Sequence, residues 1–455
     1  MSCIYCFFSK ENQMELKKKC FGNPRYEETL KEYKKLYLSE LQKLDYVKNC
    51  NCIDTIKNIL NYDEEKIELY CNYLDDFLDD IKNNIDGISE CFDSIISIYD
   101  TYIKEDIYSA YNKMSDFFKK GKVRFAYEEA ISYSKPMFRI REKGEYDKSN
   151  INEYFHIPFN KRFLSGNQRF SVSGQPMLYF AGSLQTALIE LDKKIDEVNV
   201  SIFLPSFSYN YYSPIYSIEN NVENYIHGSI INLIGKAGSK LYYGEQYRVR
   251  IGVDLKQLSS SIFYNVLTFP TDDKTKGTFI QEYVLPQLLT NILKSYDPIG
   301  IKYRSSKEHK WEVYDEGINS LESNICFFVP YSESNYNNDF LSKFYYSCDT
   351  SRITSMNELY NALEKLDFIN FLLRNEGYSN SDTGLHFFSI KMHVEDMIKY
   401  RGNDYYLSEE GKIERTLIYG LINNIISHVN YLKNNGLIRK INPNDYINNI
   451  NVLNS

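Results

Sequence analysis

The spacing of the apolar residues changes near Pro136, and this change constrains the fold more than any single motif does. Before it, apolar residues recur at steps of three and four in two long runs, which is the period of amphipathic helices. The two runs comprise Leu30, Tyr33, Tyr37, Leu41, Leu44 and Val47, and then Ile67, Cys71, Leu74, Leu78, Ile81, Ile85, Ile88, Phe92, Ile95 and Tyr99. The sequence therefore predicts helices over residues 25 to 130.

After Pro136 the pattern is typical of short strands that alternate with helices. Strands are predicted at Met177–Phe180, Val198–Leu204, Val249–Val253 and Asn324–Tyr331, the last as a continuous apolar run. Helices are predicted at Leu184–Lys194, Asn221–Lys236 and Gly277–Ser295. Short strands mixed with helices over about 200 residues indicate one α+β domain.

A polar stretch from Ser332 to Asn338 marks the end of this domain. Two further helices, Ser355–Asn375 and Lys412–Asn435, are predicted beyond it, and Gly436 is a stop signal for the second. We therefore predict an α+β fold with an α-helical N-terminal domain (1–130), a central domain (131–335) and an α-helical C-terminal region (336–455).

Charge and hydropathy limit the partners. The 53 basic and 61 acidic residues give a net charge of −8, and no Lys/Arg block interrupts this balance, so no nucleic-acid partner is expected. The chain has neither a signal-peptide pattern at its start nor a run of about 18 apolar residues. We therefore expect no membrane contact and a cytoplasmic location.

Five of the nine cysteines lie at spacings that invite a zinc interpretation. Cys3 and Cys6 form a C-x-x-C pair, Cys20 follows, and Cys50 and Cys52 form a second pair. That second pair is one residue tighter than the usual knuckle, and a predicted helix separates the two pairs. Reduced, partly buried thiols are therefore the expectation, and no metal site is predicted.

Familiar catalytic motifs do not occur. The six histidines form no H-E-x-x-H pattern, and the chain contains neither a G-x-x-x-x-G-K-[ST] loop nor a G-x-S-x-G elbow. A dispersed polar set remains in the central domain. It consists of Arg139 and Arg141, Arg169 in a Gly/Ser-rich loop, Tyr179, Glu190, Ser305 and Ser306. Such a loop and its guanidinium can bind a phosphate, although each residue also has a purely structural explanation.

The order of the blocks that carry these residues resembles the RES domain, a family named for an Arg, a Glu and a Ser. The blocks are Phe138–Arg141, His156–Arg162, Arg169–Ser171, Leu178–Ser183, Thr186–Glu190, Glu282–Leu289, Gly300–Ser306 and Asn324–Pro330. The resemblance implies a fold similar to that of ADP-ribosyltransferases. It also implies an enzyme that degrades NAD by hydrolysis or phosphorolysis, as a growth-arresting toxin or defence effector.

By this resemblance the family arginine corresponds to Arg139, with Arg141 as the second choice, and the family serine to Ser305, with Ser306 as the second choice. The glutamate corresponds to Glu190. The arginine of the glycine-rich block corresponds to Arg169 and the tyrosine to Tyr179. Gln168 stands where short family members have glycine, which leaves the geometry of that loop open.

These residue types suit the cleavage of a nicotinamide–ribose bond. Glu190 would stabilise the oxocarbenium-like transition state, and Arg139 and Arg169 would bind the pyrophosphate. Tyr179 would stack on a ring or hydrogen-bond it, and Ser305 would orient the ribose or the nucleophile.

NAD is then the substrate, with phosphate as a co-substrate if the reaction is phosphorolysis, and neither a metal nor an external cofactor is required. An antitoxin or another regulatory protein is the expected partner, and the helical flanks could mediate homo-oligomerisation. Two alternatives stay open: an ADP-ribosyltransferase that modifies a macromolecule, and a non-catalytic interaction protein that binds nucleotide.

Overall fold

The computed structural model of the chain is a mixed α+β structure, which confirms the predicted fold class at that level. It describes residues 2–120, 127–128, 135–144, 149–206, 214–218, 222, 226, 255–271, 279–296, 298–307, 321–376 and 381–437. The predicted strand Val249–Val253 lies outside the described residues, as does most of the predicted helix Asn221–Lys236.

The elements are numbered here in chain order. The α-helices are α1 (Ile4–Phe7), α2 (Lys10–Lys19), α3 (Tyr26–Gln42), α4 (Ile53–Ile59), α5 (Glu64–Asn83), α6 (Ile85–Lys104), α7 (Ile107–Lys119), α8 (Leu184–Leu191), α9 (Leu255–Leu267), α10 (Val284–Leu293), α11 (Asn338–Leu341), α12 (Met356–Asn375), α13 (Ser381–Arg401) and α14 (Glu409–Asn434). The strands are β1 (Tyr127–Glu128), β2 (Met137–Glu142), β3 (Met177–Ala181), β4 (Val198–Pro205), β5 (Ile215–Ser217), β6 (Gly300–Arg304), β7 (Ser323–Phe328) and β8 (Phe344–Ser347).

The chain divides into two compact units, each assembled from three segments. The first unit comprises Met1–Ala126, Gly166–Ser173 and Tyr216–Asp297, and the second comprises Tyr127–Ser165, Gly174–Ile215 and Pro298–Ser455. The first segment of the first unit ends close to the predicted boundary at 130, whereas Tyr216–Asp297 falls inside the predicted central domain. The division into three parts stays a prediction.

The first unit is helical, and its helices bury the predicted apolar faces. The second apolar run, Ile67 to Tyr99, is predicted as one long helix, but it forms two helices, α5 and α6, because the backbone at Asn84 is not helical. α3 packs on α6, and α6 packs on both α7 and α9. The ring of Tyr33 on α3 contacts those of Phe92 on α6 and Phe269, with centroids 5.7 and 5.5 Å apart. Residues just after α9 therefore complete the core that the N-terminal helices begin.

The sheet has the strand order β1-β5-β6-β7-β3-β2-β4-β8, and its strands β6, β7, β3, β2, β4 and β8 belong to the second unit. Strands β6, β7, β3, β2, β4 and β8 pair antiparallel with their neighbours in this order. β2 and β4 share six register pairs, but β2 and β3 share only one, Phe138 opposite Ala181. The predicted strands at 177–180 and 198–204 are confirmed, and β7 ends at Phe328, short of its predicted end at Tyr331.

Alternate side chains of the sheet enter two apolar cores. Phe138 and Ile140 of β2 enter a core built with helices α12, α13 and α14. Met137 of the same strand enters a second core with Phe203 and Phe327. This alternation follows from the two-residue period of a strand. Among the described helices, none is both long enough and apolar enough to cross a membrane.

Candidate functional site

Glu190 is held in place by a buried amide. It lies in the last turn of α8, and its Oε1 atom accepts a hydrogen bond of 2.6 Å from Nδ2 of Asn324, which is 4% exposed. The helix itself is fixed at its start, where the Ser183 hydroxyl accepts a bond of 3.1 Å from the backbone N–H of Thr186. The Thr186 hydroxyl in turn donates to the carbonyl oxygen of Leu321 at 2.6 Å. The carboxylate therefore has a defined orientation.

The partner of Glu190 shares a sheet face with two tyrosines. In the register of β3 and β7, Tyr179 lies opposite Cys326 and Ala181 lies opposite Asn324. In the register of β6 and β7, Tyr303 lies opposite Asn324. Directly opposed residues lie on the same face, and side chains two positions along the strand return to it. Tyr179 and Tyr303 therefore share the sheet face of Asn324, the hydrogen-bond partner of Glu190.

Ser305 is tied to the same region through Lys307. Its backbone N–H donates to the carbonyl oxygen of Glu322 at 2.9 Å, and its hydroxyl accepts from the backbone N–H of Lys307 at 3.2 Å. The ammonium of Lys307 donates to the carbonyl oxygens of Ile189 and Glu190 at 2.9 and 2.8 Å. A turn that begins at Ser305 therefore ends on the last turn of α8. Ser305 is 3% exposed, whereas its neighbour Ser306 is partly exposed.

Arg139 bridges β2 and β3 beside their single register pair, and by the alternation of β2 its side chain lies on the face of Met137, opposite to the face that carries Tyr179 and Asn324. Its Nη1 atom donates to the carbonyl oxygen of Tyr179 at 2.7 Å. Its Nε atom is buried and has no hydrogen-bond partner among the described residues. Burial, and then the charge of Arg141, lower the pKa of Arg139 well below its ordinary value. Because arginine stays protonated in proteins, this direction means that the cation is poorly compensated and that an anion beside it would be favoured.

Arg141 has a different role from Arg139. Its Nε atom donates to the carbonyl oxygen of Glu153 at 3.1 Å, and Nη2 donates to that of Phe155 at 3.3 Å. Phe155 belongs to the second apolar core, so these bonds fasten the segment before it to β2. The contacts favour Arg139 over Arg141 as the arginine available to a ligand.

Arg169 belongs to the first unit, and its guanidinium is occupied there. Its Nη1 atom donates to the carbonyl oxygens of Leu267 and Phe269 at 3.1 and 2.8 Å. Its guanidinium carbon lies 5.1 Å from the ring centroid of Tyr283. These contacts hold Arg169 at the C-terminal end of α9, and its predicted role in binding pyrophosphate stays a prediction.

Sequence reasoning missed Asn324 and Lys307. Asn324 did carry a signal, because a polar side chain inside an apolar strand needs a buried hydrogen-bond partner. Lys307 carried none, since a lysine two residues after a serine is ordinary in a surface turn.

Comparisons with known proteins give no further guide to this site. The chain matches no protein-family model, and neither the curated proteins nor the solved structures contain a match.

Proposed function

We propose that the chain is an NAD-cleaving enzyme of the RES type, with Glu190 as the carboxylate that acts on the nicotinamide ribose. The observation that carries this proposal is the bond from the buried amide of Asn324 to the Glu190 carboxylate. A carboxylate that is oriented before substrate binds can stabilise developing positive charge without further reorganisation.

The reaction breaks the bond between C1′ of the ribose and the nicotinamide nitrogen. The bonding electrons leave with the ring, so a cationic nicotinamide departs as the neutral molecule while C1′ becomes oxocarbenium-like. The carboxylate of Glu190 stabilises that cation or accepts a hydrogen bond from a ribose hydroxyl. Water then adds to C1′ and loses a proton, which gives ADP-ribose, or phosphate adds and gives ADP-ribose 1″-phosphate.

Arg139 of β2 lies on the sheet face opposite to that of Tyr179 and Asn324, and it is the cation proposed to bind the anionic part of a dinucleotide. The pyrophosphate of NAD carries two negative charges, and the unpaired Nε of Arg139 can donate to one of its oxygens. Tyr179 lies on the sheet face that carries the partner of Glu190, which suits stacking on a ring of the substrate. Ser305, linked to α8 through Lys307, is the residue proposed to orient the ribose or the nucleophile.

Antiparallel strands β6, β7, β3, β2 and β4, with α8 directly after β3, are compatible with a fold of the ADP-ribosyltransferase kind. The single register pair between β2 and β3 leaves the sheet loosely joined beside Arg139. Depletion of NAD would arrest growth, so the proposal includes a role as a toxin or defence effector with an antitoxin or another regulatory protein as partner.

The test is nicotinamide release from NAD by the purified full-length chain, with and without phosphate, with identification of the ribose product. We expect wild type to release nicotinamide, and Glu190→Gln to lower kcat by roughly 100- to 1,000-fold, as for the loss of one preorganised electrostatic group. The matched control is Glu364→Gln, an exposed glutamate on α12 of the same unit, which should leave the rate unchanged.

Other results of this experiment would contradict the proposed reaction or favour one of its alternatives. Absence of release by wild type, or undiminished release by Glu190→Gln, contradicts the proposed reaction. Transfer of label from NAD to a macromolecule would identify an ADP-ribosyltransferase. Tight NAD binding without turnover would identify a nucleotide-binding interaction protein.

A further inference from the structure

Four cysteine sulfur atoms converge in the first unit. Cys3 precedes α1 and Cys6 lies within it, whereas Cys50 follows the turn Val47–Asn49 and Cys52 precedes α4. The four Sγ atoms all lie within 4.8 Å of one another. Cys3 and Cys52 are 3.3 Å apart, and Cys6 and Cys50 are 3.7 Å apart.

The backbone, not a chance choice of rotamers, brings the two pairs together. Cys3 forms a parallel β-bridge with Asp45, and the Asp45 N–H donates to the carbonyl oxygen of Ser2 at 3.1 Å. The turn Val47–Asn49, directly before Cys50, is attached to α5, because Oδ1 of Asp75 accepts a hydrogen bond of 2.9 Å from the N–H of Val47. The sequence-based argument that a helix keeps the two pairs apart is therefore wrong, since α3 returns the chain to its start.

The distances fit one tetrahedral ion. With four thiolates at roughly 2.3 Å from zinc, tetrahedral geometry places the sulfur atoms about 3.8 Å apart. Cys3 and Cys52, at 3.3 Å, and Cys6 and Cys50, at 3.7 Å, lie near that value, and the remaining distances are all within 4.8 Å. They are well beyond the length of a disulfide bond, about 2.0 Å. Cys50 and Cys52 are one residue closer in sequence than the cysteines of a usual zinc knuckle, but their sulfur atoms still lie beside those of Cys3 and Cys6.

The burial and the number of the cysteine ligands indicate a structural, not a catalytic, metal site. Cys3 is fully buried, Cys50 is buried, and Cys6 and Cys52 are partly exposed. Four protein sulfur ligands fill a tetrahedral shell and leave no position for substrate, which is the pattern of structural zinc sites. Soft thiolate ligands in this geometry favour zinc, or a single iron as the nearest competitor.

We propose that Cys3, Cys6, Cys50 and Cys52 bind one zinc ion that ties the start of the chain to the segment between α3 and α4. The proposal is independent of the NAD chemistry, because all four ligands belong to the first unit and Glu190 belongs to the second. Such a tie closes a long loop of chain, so metal binding contributes directly to the folding of this unit.

Cys20 provides the matched control. It is also buried, and sequence spacing makes it a candidate ligand, but its Sγ instead donates to the carbonyl oxygen of Leu16 at 3.3 Å. Substitution of Cys20 should therefore leave metal content unchanged, whereas substitution of one ligand from each pair should abolish it.

The first measurement uses the unmodified full-length protein, purified under reducing conditions, and determines metal content by elemental mass spectrometry. We expect one zinc ion per chain. Exchange for cobalt should give the strong visible absorption of a tetrahedral thiolate site, and a strong chelator should lower the melting temperature. None of these three readouts depends on enzymatic activity or on whether a variant folds.

The second measurement compares Cys3→Ser/Cys52→Ser with Cys20→Ala, which should lose zinc and retain it, respectively. The proposal is overturned if wild type contains no zinc and all four thiols react freely with a thiol reagent. It is equally overturned if peptide mapping finds Cys3–Cys52 and Cys6–Cys50 disulfides, or if iron occupies the site in place of zinc.

Discussion

A single amide orients the proposed active-site carboxylate. Nδ2 of Asn324, which is itself buried, donates to Oε1 of Glu190 at 2.6 Å and so limits the rotation of that side chain. In the sequence, Glu190, Tyr179 and Ser305 are candidate site residues only because their blocks resemble the RES family. It cannot supply Asn324, because the register of β7 against β3 and β6 determines which polar group faces the carboxylate.

Replacing Asn324 by aspartate should change the pH dependence of NAD cleavage. The variant places a second carboxyl group where an amide now lies 2.6 Å from Glu190, and two such groups share a proton. The pair then has one raised pKa, so a fully ionised site exists only at higher pH. We expect the acidic limb of the kcat/KM profile for nicotinamide release to move to higher pH and the rate at neutral pH to fall.

The control for this change is Asn335→Asp, at an exposed asparagine of the same unit, which should leave the profile where it is in wild type. An Asn324→Asp profile that overlays wild type would show that this carboxylate does not act in its ionised form.

Strand β6 depends on a glycine where it meets β7. A Cβ atom added at Gly300 would lie 2.5 Å from the carbonyl oxygen of Cys326 and 3.1 Å from the Cα of Phe327, both backbone atoms. Gly300→Ala must therefore push the two strands apart. We expect a loss of about 1–3 kcal/mol in the free energy of unfolding, as for other overpacked sites.

Urea unfolding of the full-length chain measures this effect, with Gly166→Ala as the control, since a Cβ there meets nothing within 4 Å. Equal unfolding midpoints for the two variants would contradict the proposed close approach. The same displacement should lower NAD cleavage, because Tyr303 and the turn at Ser305 follow directly on β6.

From the sequence, it was easier to predict whether a segment is a helix or a strand than to predict which other segment it packs against or pairs with. The period of three to four in the residues of α3, α5 and α6 is a local property, so the helices could be predicted from it. The pairing of β7 with β3, or of Cys3 with Asp45, joins segments far apart in sequence. No spacing within either segment encodes such a pairing, and for this reason the convergence of the cysteines was also missed.

At the scale of the whole chain, the first unit depends on segments that are remote in sequence. The N–H of Tyr26 donates to Gln281 at 2.9 Å, its hydroxyl donates to the carbonyl oxygen of Val266 at 3.4 Å, and Phe269 packs on Tyr33. Apolar periodicity shows that a helix has a buried face but not which later segment covers it. A domain boundary near 130 therefore looks natural in the sequence, although the compact unit continues beyond it.

A fragment of residues 1–130 should consequently fail to fold as the full chain does. It keeps α1 to α7 but lacks α9, α10 and the aromatic contact from Phe269. We expect circular dichroism to detect helix without a cooperative thermal transition, and a dye for apolar surface to bind strongly. The same fragment co-expressed with residues 216–297 serves as the comparison. A cooperative melt of the isolated fragment would contradict this expectation.

Because segments of the two units alternate along the chain, the ribosome completes the first unit only after it has made part of the second. The N-terminal helices leave the ribosome well before Tyr216–Asp297, the last segment of their unit. At about 5–20 residues per second, the ribosome needs roughly 10–35 seconds to proceed from Ala126 to Asp297. During that interval the apolar faces of α3 and α6 lack the cover that Phe269 and α9 supply. The nascent chain should therefore be a chaperone substrate for a long fraction of its translation.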